Sequence, residues 1–172
     1  MDYCATLATR AAPDDAARRI LIDLDKWWST RIERHDAGFT VRFNNSQATF
    51  AIEDNHQPHR FSWLCTDAYM IIEDVPDRTE WTGTRLNWHV APYKTGSRIT
   101  LTHQGLTPRI ACFDVCQRGW QHFFETSLRN LLNGDAARPH TDTSRAPPRG
   151  STPKIQPARP GCPERPPQRS FR

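Results

Sequence analysis

The sequence predicts an α+β fold of two layers, an antiparallel sheet curved around one long C-terminal helix. Two observations carry this. Between Gly38 and His103 apolar residues recur with period two in short successive runs, the pattern of strands with one buried face. From Phe113 to Leu132 they recur every three or four residues, the pattern of a helix whose wide aromatic face needs a partner layer.

Each element follows from its residues. Tyr3 to Ala8 alternates and reads as a strand. Pro13-Asp14-Asp15 opens a helix, since proline suits the first turn and acids suit the positive end of the helix dipole. Ala16, Ala17, Ile20, Leu21 and Leu24 continue it at helical spacing, and Asp25 is placed to cap a second short helix at Lys26-Trp27-Trp28. Six strands are then expected, around Phe39–Phe43, Ala48–Ile52, Phe61–Cys65, Tyr69–Ile72, Leu86–Val90 and Ile99–His103. Asn44-Asn45, Asp54-Asn55, Pro58, Pro92 and Gly96 supply turns between several of them. In the last helix Phe113, Cys116, Trp120, Phe123, Phe124, Leu128, Leu131 and Leu132 share a face, and Asn133-Gly134 ends it.

Composition changes sharply after Gly134. Residues 135–172 hold nine of the fourteen prolines, with Ile155 and Phe171 as their large apolar residues. Such a segment buries too little surface to offset the entropy of ordering, so residues 1–134 are expected to form the domain and 135–172 a disordered Pro/Arg-rich tail. The tail also carries seven Arg and one Lys against two Asp and one Glu, so the net charge of +4 belongs to it and not to the folded part. The folded domain therefore shows no electrostatic footprint for nucleic acid. No run of 18 apolar residues is present, so no membrane-spanning helix is expected. The N-terminus lacks the pattern of a secretory signal, and five irregularly placed Cys suit reduced thiols, so a cytoplasmic protein is expected.

Three spaced anchors stand out: Glu80-Trp81-Thr82-Gly83-Thr84, Thr102-His103-Gln104-Gly105-Leu106 and Cys116-Gln117-Arg118-Gly119-Trp120. With "WLCTD" at 63–67, "DKWWS" at 25–29 and the run from Cys112 to Leu132, they resemble the SRPBCC, or START-like, superfamily. Within it they are similar to bacterial proteins related to the C-terminal domain of the activator of the ninety-kilodalton heat-shock chaperone's ATPase. The resemblance covers residues 1 to about 134. It implies the helix-grip fold and a cavity between sheet and helix that takes hydrophobic molecules. It also raises a chaperone or other protein as partner. The chain departs from the pattern at Arg42 to Thr49, and its tail is not a family feature.

The candidate ligand-binding residues are Trp63, Trp88, Leu101 and His103 on the sheet, with Trp120 and Phe124 on the helix. Large flat side chains meeting across a curved sheet leave slots, and a mostly apolar slot with one orienting polar group is the usual small-molecule site. His103 is the residue expected to orient the ligand, its neutral ring both donating and accepting. Glu80 is expected to stabilise its own turn. No nucleophile-and-base order is readable. No cofactor is expected, and no metal either: His56, His59 and Cys65 lack zinc spacing. Three functions follow in order: non-enzymatic binding of a small hydrophobic ligand; a chaperone-associated or other protein-interaction module; and a cyclase- or dehydratase-type enzyme. The last needs two converging polar groups, and His103 supplies one.

Overall fold

The computed structural model describes residues 1–53 and 57–142. Strand β1 (Tyr3–Thr9) leads into helices α1 (Pro13–Ile22) and α2 (Leu24–Trp27). Six strands follow: β2 (Ile32–His35), β3 (Gly38–Phe43), β4 (Ser46–Glu53), β5 (Arg60–Tyr69), β6 (Arg85–Tyr93) and β7 (Gly96–Gln104). A continuous helix, α3, spans 113–133; its middle, Phe123–Leu128, is wound as π-helix. All seven strands form one antiparallel sheet in the order β1-β7-β6-β5-β4-β3-β2. The predicted α+β architecture, a sheet gripping a long C-terminal helix, is the one observed.

Three elements differ from expectation. The count of six strands after the helices holds, but its membership changes. Ile32–His35 is a strand that the pattern does not show, because it lies at the sheet edge with three of its four residues exposed. Conversely, Tyr69–Ile72 is not a separate strand. The pairing of β4 with β5 shifts at Thr49/Phe50, leaving Thr66 as an extra residue in β5. That bulge flips the alternation, so Cys65 and Ala68 are both buried while Thr66 and Asp67 are exposed. One bulged strand thus mimics two short ones. Finally, α2 begins after Asp23, not after Asp25. The Asp23 carboxylate takes Arg19 and Lys26 at 2.9 Å each; burial would raise its pKa, but these two partners hold it below its ordinary value.

The core is aromatic. Trp27 stacks on Trp28 at 5.4 Å, and Trp28 meets Trp120 of α3 at 5.2 Å. Gly38 in β3 permits the sheet to close here: a Cβ at this position would stand 1.8 Å from the Phe50 carbonyl oxygen. Gly134 closes α3 in the left-handed conformation at φ 81°, as the Asn-Gly ending predicts.

The chain does not leave the fold at that glycine. The Arg138 amide donates to Ser127 Oγ at 2.8 Å. His140 makes a parallel bridge beside Ser29, its amide donating to the Trp28 carbonyl at 2.8 Å while its own carbonyl accepts from the Thr30 amide. Asp142 pairs with Arg31 and accepts from the Asn44 amide. The described chain thus stays against the domain as far as Asp142. Low apolar content hid this docking because hydrogen bonds and an ion pair carry it. The rest of the expected tail, 143–172, lies outside the described residues.

Candidate functional site

The six residues expected to bind a ligand lie together in the interior, each at most 2% exposed. Trp63 and Trp88 meet at 5.1 Å, and Trp88 meets Phe124 at 5.9 Å. Leu101 sits opposite Trp88 in the β6–β7 register. Among the described residues the indole N–H groups of Trp63 and Trp88 are buried without a hydrogen-bond partner, an uncommon state for buried donors.

His103 is held by a directed chain. The Trp120 indole N–H donates to His103 Nδ1 at 3.1 Å, which fixes the proton on Nε2. Nε2 then donates to Thr84 Oγ1 at 2.9 Å, and Thr84 donates to the Trp81 carbonyl at 2.6 Å. Trp81 packs edge-on to the imidazole at 4.9 Å. Burial depresses the pKa of His103 to about 3, so the ring is neutral. Both ring nitrogens are engaged within the protein.

The open space lies to one side of this set. A cleft of about 440 Å³ runs between α3 and the β3–β4 hairpin. Trp28, at the end of α2, and Trp81, in the connection between β5 and β6, line it, with Met70, Ile71 and Ile72 beyond the end of β5. Phe43, Asn44, Asn45 and Ser46 form the hairpin wall, and His140 stands at one side. The helix supplies Val115, Cys116, Gly119, Trp120 and Phe123. Trp120 is the one residue of the expected six that lines it. Trp63 instead lines a second, apolar cleft of about 430 Å³ beneath α1, with Leu21, Ile22, Ile52 and Phe61.

Gly119 is the residue that sequence reasoning passed over. Glycine in a helix interior is less stable than alanine by about 1 kcal/mol. Here nothing lies within 4 Å of an added Cβ, so packing does not demand it. The space it leaves is part of the cleft. Phe123 opens the π-helical segment on the same wall, and such segments are frequent at functional sites.

Glu80 does not serve its own turn. Its two carboxylate oxygens accept the amides of Ala111 and Cys112 at 2.8 Å each, satisfying free N–H groups where α3 begins. It thereby fixes the start of the helix that walls the cleft. Beside it stand two thiols. The Trp81 indole N–H donates to Cys116 Sγ at 3.2 Å. Cys65, Cys112 and Cys116 are free and buried. Among the described residues no cluster of three His, Cys, Asp or Glu could hold a metal ion, and His56 lies outside them. None of the described helices is long and apolar enough to cross a membrane.

Compared by sequence, the chain matches no protein family and no curated protein. Compared by structure, it is similar to Aha1 from Colwellia psychrerythraea, solved as a dimer. The TM-score is 0.61 at 18% identity, over 77% of this chain and 96% of that one. It is also similar to protein MLL2253 from Mesorhizobium loti, with TM-score 0.60 and 16% identity over 77% of this chain and 96% of that one. Protein SSP2350 from Staphylococcus saprophyticus aligns with TM-score 0.58 and 13% identity, over 82% of this chain and all of its own. At these identities the likeness establishes the helix-grip fold.

Proposed function

We propose that the protein binds a small, flat, mainly apolar molecule in the cleft between α3 and the β3–β4 hairpin. The observation that carries this reading is the unfilled helix position at Gly119, opening onto a wall that includes Trp28, Trp81, Trp120 and Phe123. Mostly apolar clefts of this volume with a few polar groups at one end are the usual form of small-molecule sites. Asn44, Asn45, Ser46 and His140 supply that polar end. Trp120 is the ligand contact from the expected set; Trp63, Trp88, Leu101, His103 and Phe124 hold its wall in place.

Gly119→Leu tests the reading. The leucine fills the cleft without a clash at Cβ and improves helix propensity. Wild-type protein is expected to bind an apolar fluorophore with quenching of tryptophan emission. The variant is expected to bind it at least about tenfold more weakly, a loss of about 1.4 kcal/mol, with no fall in melting temperature. Equal binding by both proteins would remove the cleft as the site.

A protein-interaction role is the second reading. Ile71 and Val115, 46% and 40% exposed, flank the same cleft, and one structural neighbour is an Aha1 dimer. Ile71→Asp is expected to abolish self-association or partner capture under this reading, as read by sedimentation or size-exclusion chromatography.

A further inference from the structure

We propose that the cleft is specific for neutral, flat aromatic molecules that carry a hydroxyl group, and that His140 is the residue that selects the hydroxyl. The location rests on the cleft reading above; the polar requirement rests on two unspent hydrogen-bonding groups and on the absence of charge. Among the described residues no Lys, Arg, Asp or Glu lines the cleft. An ionised ligand would lose water there without gaining a counter-charge, which is costly.

The two groups are a donor and an acceptor. Ser46, 9% exposed, accepts the Ile71 amide at 2.8 Å through Oγ, while its hydroxyl proton goes to no acceptor among the described residues. His140 holds Nε2 at 3.3 Å from Asp142 Oδ1. An ionised carboxylate only accepts, so the proton of this bond sits on Nε2, and in the neutral ring Nδ1 is left as an acceptor. Among the described residues Nδ1 makes no hydrogen bond. A phenolic hydroxyl both accepts and donates, so it matches Ser46 and His140 together. Both residues line the cleft beside its aromatic wall.

His140 reaches the cleft on the chain that follows α3, its backbone bonded to Trp28 and Thr30. Asp142 orients it. This carboxylate does not line the cleft, yet it joins two residues that do. It accepts from His140 Nε2 and, at 2.9 Å, from the Asn44 amide, and it pairs with Arg31. Burial would raise its pKa, but the Asn44 amide and Arg31 hold it below its ordinary value, so it stays ionised near neutral pH. The Phe43 ring packs edge-on against the imidazole at 5.5 Å. Asp142 is thus a positioning residue, and His140 is the ligand contact.

The test titrates the full chain by calorimetry with β-naphthol, its methyl ether and β-naphthoate. Naphthol is expected to bind at least about fivefold more tightly than the ether, which keeps the rings and loses the O–H. Naphthoate, an anion, is expected to bind most weakly. His140→Phe keeps a ring against Phe43 and is expected to bring the ratio of naphthol to ether affinity to about one, since phenylalanine has no acceptor. Asp142→Asn is expected to lower the same ratio, whereas a merely structural loss would weaken both ligands alike. Equal affinities for naphthol and ether, in protein that still binds the apolar fluorophore, overturn the selection and leave the cleft reading standing. A preference that persists in His140→Phe, or tightest binding by naphthoate, overturns it as well. If neither the naphthalenes nor the fluorophore bind, the cleft reading falls and this inference falls with it.

Discussion

Acidification from pH 7 to 4.5 is expected to remove about 2.5 kcal/mol of stability through His103 alone, at about 1.4 kcal/mol for each unit of pKa difference. The sign follows from burial. In the unfolded chain the ring takes a proton near pH 6.5; in the folded state it resists protonation down to about 3. The stabilisation is complete above 6.5 and is lost progressively as pH falls toward 3. His89, also depressed by burial, adds in the same direction. Carboxylates held low in the fold, such as Asp23, enter below about pH 4, so the upper window belongs to histidine. Denaturation midpoints at pH 7, 5.5 and 4.5 check this. His103→Gln is expected to be less stable at pH 7 and to show a flatter pH dependence. An unchanged slope in that variant would place the acid sensitivity elsewhere.

Trp120→Ala is expected to leave the protein close to unfolding. Truncating a buried tryptophan costs about 3–5 kcal/mol. Here it also strips His103 Nδ1 of its donor, and an orphaned buried acceptor costs about 1–3 kcal/mol more, the two terms not being strictly additive. Against a usual total of about 5–15 kcal/mol, that is most of the margin. Trp120→Phe separates the terms: it keeps an apolar ring against Trp28 and Trp81 and loses the N–H. A denaturation midpoint unmoved by the alanine substitution would contradict the packing described for α3.

Periodicity made most of the architecture legible, because one buried face per element leaves a plain trace in the residues. It failed where the buried face is not periodic. The bulge at Thr66 reset the phase of β5, and the edge strand Ile32–His35 buries too little to show a pattern. The site was less legible for a different reason. Trp63, Trp88 and His103 were read as cavity walls because they are large and face inward, yet facing inward equally describes a filled core. The cleft instead depends on what is missing at Gly119 and on the π-helical turns from Phe123. An absent side chain leaves no mark in a hydrophobic pattern. Glu80 was misread similarly, since its partners Ala111 and Cys112 are distant in sequence and adjacent only once the sheet has closed.

The strand order carries a consequence for how the chain comes to be folded. Within the sheet, β1 is made before the other six strands and pairs with β7, made after them: Tyr3 lies opposite His103 and Thr9 opposite Ser97. At about 5–20 residues per second of synthesis, the first strand waits roughly 5–20 s before its partner exists. Throughout that time the strand that pairs with it in the described sheet has not been made. Contacts between such distant segments also slow folding, because loop closure precedes any gain from pairing. Of the strands in this sheet, β1 is therefore the one that stays longest without its partner during synthesis.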